Sequence, residues 1–205
     1  MQLVAENLVL SRGGRTVIDG LSFRLGEGEA LVLTGPNGSG KTTLLRALAG
    51  FLRPAAGAIF IANAPEEREI SELCHFVGHL DGIKTHLTVA ENLAFWAAYL
   101  GGGNDRCLAA ALERFGLAAL ADIPAAYLSA GQKRRLALAR LAAAQRPLWL
   151  LDEPTVSLDA AAVAMLIDAV KAHVKGGGLA VVATHVALPL ESAEEIRLGR
   201  AEGAA

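Results

Sequence analysis

The apolar positions change period along the chain. Gln2 to Leu10 is strand-like, Leu21 to Leu25 alternates, and Glu29 to Thr34 is a short apolar run, so the opening predicts β-structure. A glycine-rich loop follows. Thr42 to Gly50 then predicts a helix, with Gly50 where a C-cap glycine belongs and Pro54 soon after. Gly57 to Ala62 and Leu73 to Gly78 read as two further strands. After His79 the pattern turns helical. Thr88-Val89-Ala90-Glu91 has the form of a capping box, so a helix is expected from there to Leu100, stopped by Gly101 to Gly103. Arg106 to Phe115 and Ser129 to Ala144 predict two more helices. Strand and helix alternate again at the end: Leu148 to Leu151, Ala160 to Val174, Leu179 to Thr184. The expectation is an α/β protein with a mostly parallel core sheet, interrupted by a helical block, with ligands at the strand C-terminal ends.

Composition narrows the class. Of 205 residues, 53% are apolar and 20% charged, with a mean hydropathy of +0.38, so a membrane span must be tested. A spanning helix needs about 18 to 20 uninterrupted apolar residues. The best runs are cut by Asn104 and Asp105, by Arg140, and by Asp168, so no span is expected. The opening residues carry no long apolar stretch, and no signal peptide is expected. A net charge of −2 argues against a broad nucleic-acid surface. Cys74 and Cys107 form no paired motif, and the five histidines show no metal-ligand spacing.

Residues 35–43 carry the strongest chemistry. Gly35, Pro36, Asn37, Gly38, Ser39, Gly40, Lys41, Thr42 and Thr43 match G-x-x-x-x-G-K-[ST] between a strand and a helix, the context of a phosphate-binding P-loop. The glycines let backbone N–H groups turn toward one anionic point, and the helix N-terminus adds partial positive charge. Lys41 is expected to reach the β- and γ-phosphates of a bound nucleotide, ATP, and the Thr42 hydroxyl to be a Mg²⁺ ligand. The strand Leu148 to Leu151 ends in Asp152 and Glu153. Asp152 is expected to hold Mg²⁺, directly or through water, and Glu153 to orient and deprotonate the attacking water. An acidic cap on the next helix is the plainer reading of the same pair.

Leu128, Ser129, Ala130, Gly131 and Gln132, followed by Lys133-Arg134-Arg135, resemble the Leu-Ser-Gly-Gly-Gln signature of the ATP-binding cassette (ABC) family, with alanine at the first glycine. Ser129 and Gln132 also form a capping box. Gly131 is a poor helix former, which makes sense where a phosphate approaches the backbone. The resemblance covers about residues 2–199. It implies one cassette over 1–205, with a P-loop core lobe (about 1–78 and 145–205), an antiparallel β portion near the N-terminus, and a helical subdomain (about 79–144). It implies that Asp159, in Ser157-Leu158-Asp159, belongs to a D-loop, and that His185 contacts the γ-phosphate. It further implies a head-to-tail homodimer in which the signature serves the partner's ATP. The chain departs from the family pattern at His79, where glutamine is usual, and near residue 12, where the adenine-stacking aromatic is replaced by Arg12.

Within the family, several segments look like the haem-exporter ATPase subgroup of cytochrome c maturation. They are Gly78-His79, Gly82-Ile83-Lys84-Thr85, Leu87-Thr88, Glu91-Asn92-Leu93, Phe95-Trp96 and the run from Pro147 to Pro154. That likeness implies a peripheral subunit on the cytoplasmic side of the inner membrane. It would pair with separate membrane-spanning permease subunits, dock through the helical block, use His79 for coupling, and serve periplasmic haem delivery, with no nucleic-acid partner. Whether haem crosses the membrane or is released from a periplasmic carrier stays open. So do an exporter of other cargo and a cassette outside transport.

Overall fold

The computed structural model describes residues 1–64, 68–186, 188–190 and 193–199. Strands β1 (Gln2–Arg12) and β2 (Arg15–Gly26) form an antiparallel hairpin, and β3 (Ala30–Thr34) leads into the glycine-rich loop and helix α1 (Lys41–Leu48). Next come β4 (Ala56–Ala62), the one-turn helix α2 (Ile70–Leu73) and β5 (Cys74–Val77). Three helices follow: α3 (Val89–Tyr99), α4 (Asp105–Arg114) and α5 (Ala130–Ala143). The chain then runs through β6 (Leu148–Asp152), α6 (Ala160–Lys175), β7 (Leu179–Ala183) and β8 (Glu194–Arg197).

Two compact units emerge. The first comprises residues 1–78, 147–154 and 172–205. It holds an antiparallel sheet of order β2-β1-β4 and a parallel sheet of order β5-β6-β7-β3-β8. Strands β6 and β7 are buried at every position, as expected for central strands of a covered parallel sheet. Leu44, Leu45 and Leu48 of α1 are fully buried in a core shared with Leu3 and Leu10 of β1, Leu33 of β3 and Leu150 of β6.

The second unit comprises residues 79–146 and 155–171. Residues 155–171, expected with the core lobe, group here by their contacts. Helix α5 packs on α3 and α4 and is buried nearly all round. Its two neighbours are capped as their sequences require. Thr88 and Glu91 close a reciprocal capping box on α3, and the Asn104 side chain accepts from the Cys107 N–H at the start of α4.

Two elements escaped the hydrophobic pattern. Strand β2 is twelve residues long, not the five of Leu21 to Leu25, because most of its side chains are outside the core and leave no alternating signal. Strand β8 reads Glu-Glu-Ile-Arg; its extended form comes from parallel pairing with β3, from Leu31↔Glu194 to Thr34↔Arg197.

The first unit also carries a stacked ring pair, a half-buried histidine on a buried tryptophan. The His173 imidazole stacks on Trp149 with centroids 3.9 Å apart, and its Nε2 lies 3.2 Å from the carbonyls of both Pro147 and Leu179. Burial lowers the His173 pKa below 6.5, with the two carbonyl contacts opposing the shift. A histidine held neutral stabilises the fold fully above its unfolded value near 6.5, and that contribution declines as pH falls toward the lowered native value. Unfolding by urea at pH 7.5, 6.5 and 5.5 is therefore expected to show wild type losing stability relative to His173→Gln as pH falls. A constant difference across that range excludes a neutral buried imidazole.

Candidate functional site

Parallel register builds the first site. Ala183 pairs with Asp152 on one side and with Leu33 on the other, so β6, β7 and β3 end side by side. Hydrogen bonds extend this alignment past the strands. The Glu153 N–H donates to the Ala183 carbonyl (2.8 Å), the Thr184 N–H to Leu33 (3.1 Å) and the Leu198 N–H to Thr34 (2.8 Å). The chain thus leaves the sheet at Gly35, Glu153 and His185 along one edge. Glu153 and His185 meet there at a cleft of about 160 Å³ lined also by the loop from Asn37 to Thr43, Arg12, Val17 and Asp152.

The loop holds its shape by close approach. A Cβ on Gly35 would lie 2.2 Å from the Leu198 carbonyl oxygen, so only glycine fits. Gly40 caps α1 in the left-handed conformation with no side-chain cap, which leaves the first N–H groups of the helix for a ligand. Lys41 Nζ donates to the carbonyls of Gly35 (2.7 Å) and Pro36 (3.3 Å). Ser39 is buried, and its Oγ has no hydrogen-bond partner among the described residues. A buried hydroxyl of this kind inside a cradle of N–H groups fits a phosphate oxygen.

Opposite the loop, His185 is the hub. Its Nε2 lies 2.7 Å from Asn37 Oδ1, 3.2 Å from Glu153 Oε1 and 3.2 Å from Lys41 Nζ, while its N–H donates to Glu153 Oε2 at 3.3 Å. A protonated Nε2 donates to Asn37 or Glu153, whereas a bare one accepts from Lys41. Glu153 adopts φ +45°, a left-handed backbone that is unfavourable for a side chain of this size. Asp152 is buried at the end of β6 and lines the same cleft as Thr42. The structure therefore brings together Lys41, Thr42, Asp152, Glu153 and His185, all chosen from sequence. Arg12 also reaches this cleft, at the end of β1.

The signature residues form a separate site in the second unit. Ser129, Gly131 and Gln132 line a cavity of about 290 Å³ with Arg135, Ser157, Leu158 and Asp159, while Leu128 is buried. The Ser129 hydroxyl accepts from the Gln132 N–H (3.2 Å), and Gln132 Oε1 accepts from the Ser129 N–H (2.8 Å). Ser129 thus caps the helix start that Ala130 opens, as its capping-box reading expects. Gly131 has a further reason to be glycine. A Cβ there would stand 2.8 Å from the Ser157 carbonyl, and Ser157 itself has φ +66°. Asp159 Oδ1 accepts from the Ala162 N–H (2.8 Å) and so caps α6.

His79 opens the second unit in an exposed position. Sequence reasoning gave no role to Val17, to Asn92 or to Asp81. Asn92 is fully buried, and its amide bonds the Lys84 N–H and the carbonyls of Lys84, Leu87 and Thr88, which ties down the loop before α3. A polar residue on an otherwise apolar helical face was the available signal. Among the described residues no cluster of three or more His, Cys, Asp or Glu side chains could hold a metal ion by itself. Thr42 and Asp152 are the candidates to complete an ion's shell beside bound phosphate.

Comparison with known proteins agrees with this geometry. The description "ABC transporter" belongs to the family whose model matches residues 18–156. The cytochrome c biogenesis ATP-binding export protein CcmA of Agrobacterium fabrum is 50% identical over 203 residues, covering 97% of this chain and 95% of that protein. The protein of the same name from Cereibacter sphaeroides is 54% identical over 198 residues, covering 97% and 89%. Among solved structures, a putative ABC transporter ATP-binding protein from Pyrococcus furiosus shares the fold with a TM-score of 0.84 at 23% identity, covering 97% of this chain and 98% of that one. A dimeric ATP-binding cassette in a post-hydrolysis state, bound to ADP and Pi, shares it with a TM-score of 0.82 at 24% identity, covering 98% and 97%. The family model spans both the phosphate loop and the carboxylate pair, and identity near one half extends over nearly whole chains: the chain belongs to the ABC transporter family, whose ATP-binding cassettes are ATPases.

Proposed function

We propose that this ABC ATPase is the ATP-hydrolysing subunit of a complex that exports or delivers haem for c-type cytochrome biogenesis. The observation that carries the reading is the identity of about one half, over nearly the whole chain, with proteins named for cytochrome c biogenesis and export. No helix among the described residues is long and apolar enough to cross a membrane. The reading includes separate membrane-spanning permease subunits and a peripheral place on the cytoplasmic side of the inner membrane, in keeping with the relatives named for export. Exposed Leu80, Phe95 and Tyr99 in the second unit offer apolar surface for docking, with His79 beside Leu80 as the coupling residue.

In the proposed mechanism the P-loop N–H groups and Lys41 bind the ATP phosphates. Mg²⁺, held by Thr42 and Asp152, would neutralise phosphate charge. Glu153 orients the attacking water and accepts its proton, and His185 holds the γ-phosphate side of the cleft. Ser129 and Gly131 complete the ATP site of a second copy in a head-to-tail dimer, with Asp159 in the adjoining D-loop.

Four measurements test this. Lys41→Ala is expected to weaken ATP binding at least tenfold in equilibrium titration, and an unchanged affinity would remove the P-loop assignment. Glu153→Gln is expected to bind ATP, to turn over at least a hundredfold more slowly, and to accumulate as a dimer; wild-type turnover would show that another group handles the water. Ser129→Arg is expected to abolish hydrolysis, and in mixed dimers to silence the opposite site; loss confined to its own site would end the sandwich reading. Tagged Glu153→Gln, extracted gently from native membranes with ATP, should co-purify with haem-handling membrane proteins. A different permease in that preparation would discard the haem role and keep the ATPase.

A further inference from the structure

The second unit contains a buried charge cluster that the ATPase chemistry above does not use. Arg134 is 4% exposed and Arg140 5% exposed, both on α5. Arg134 Nη1 donates to Asp81 Oδ1 at 2.9 Å. Arg140 lies over the Trp96 ring at 4.5 Å, and its Nε donates to the Ala137 carbonyl. Burial lowers the Arg140 pKa to about 10, with the Asp81 carboxylate opposing and Arg134 reinforcing the shift. The Asp81 carboxylate thus bonds one buried guanidinium directly.

Asp81 stands at a junction. It is two residues beyond His79 and directly precedes Gly82, whose carbonyl accepts from Trp96 Nε1 at 3.1 Å. The rest of that loop is pinned to its own unit. Asn92 holds Lys84, and the carbonyls of Thr85 and Leu87 accept from Ala126 and Ala125. At the other end of the bridge, Arg134 is five residues past Ser129 on the same helix, roughly 7 Å along its axis. A helix this short is stiff, so a contact at Arg134 constrains the direction of the capped turn from Ser129 to Gln132. Asp81 is therefore a charged link between the loop that starts at His79 and the helix that starts at the signature.

We propose that Asp81 and Arg134 form a positioning pair, which aims the signature turn of α5 according to the position of the 79–82 loop. Neither residue lines the P-loop cleft or the cavity at Ser129. They act through Ser129 and Gly131, and this inference rests on the proposed role of those residues at a partner's ATP. A charge-assisted hydrogen bond suits the task because it is directional and weakens steeply with misalignment. Breaking it also leaves the buried Arg134 without this carboxylate, so the pair resists sliding into intermediate positions.

The test uses the full chain with Asp81→Asn, Asp81→Glu, Arg134→Met and, as reference, Ser129→Arg. Affinity for ATP, ATP-driven dimerisation in a Glu153→Gln background, and kcat of the complex extracted with its membrane partners are measured for each. Asp81→Asn and Arg134→Met are expected to keep ATP affinity within twofold, to weaken dimerisation at least tenfold and to lower kcat at least tenfold. Asp81→Glu, which restores the carboxylate, should recover at least half of the wild-type kcat. A merely structural pair would lower thermal stability while the folded protein kept its dimerisation and kcat within twofold, and that result overturns the proposal. Should Arg134→Met fail to fold, Asp81→Asn decides the matter, since its side chain is already 26% exposed. If Ser129→Arg itself leaves dimerisation and kcat unchanged, the signature reading falls and the pair with it. If Ser129→Arg abolishes both while Asp81→Asn affects neither, the pair alone falls.

Discussion

The chemistry of the first unit depends on the parallel register of β3, β7 and β6. Parallel strands cannot be joined by a tight turn, so their residues lie far apart in sequence: Thr34, Ala183 and Asp152. Once Ala183 pairs with both Leu33 and Asp152, the three chain segments must leave the sheet together. A one-residue slip of β6 would turn the Asp152 side chain to the other face and draw Glu153 into the ladder. The apolar makeup of β7 and of β6 as far as Leu151 does not by itself forbid that slip. The ladder continuing beyond the strands does, through the bond from the Glu153 N–H to the Ala183 carbonyl and that from the Thr184 N–H to Leu33.

Backbone strain marks the same places. Glu153 and Ser157 both adopt left-handed conformations, which cost about 1 to 2 kcal/mol each for residues other than glycine. Such conformations survive where the surroundings over-determine them. For Glu153 the determinants are its own N–H on Ala183 and its carboxylate against His185. For Ser157 the carbonyl is seated against Gly131, where no side chain could fit. Strain at the first turns a carboxylate into the phosphate cleft. At the second it brings the segment before Asp159 against the signature.

Much of this was legible in the sequence, for identifiable reasons. The P-loop, the apolar strand ending in Asp152-Glu153 and the two capping boxes are local, because each depends on residues within one turn or one strand. What was hidden is non-local. Strand β8 has no apolar pattern and exists through pairing with β3. The hub at His185 joins Asn37, Lys41 and Glu153 across about 150 positions, and only their shared strand edge brings them together. Gly131 could be explained from sequence by a ligand's approach, yet the atom it makes room for in this chain is the Ser157 carbonyl. Residues 155–171 look like core by alternation of strand and helix, while their contacts group them with the helical unit.

The helical unit shows why polarity inside an apolar block carries information. Its surroundings are rich in alanine and leucine, which pack well but specify direction poorly, since one small apolar contact replaces another at little cost. Arg134, Arg140, Asp81 and Asn92 interrupt that block at the points where a loop must hold one position against a helix. Buried charges contribute little net stability, because desolvation offsets most of their attraction. Asn92 fixes the path of the 84–88 loop with four hydrogen bonds to backbone. Asp81, bonded to the Arg134 guanidinium, gives the loop after His79 a defined anchor on α5. The bonds of Asn92 and Asp81 thus tie the two ends of the 81–88 loop to α3 and α5, where apolar packing alone would leave its path open.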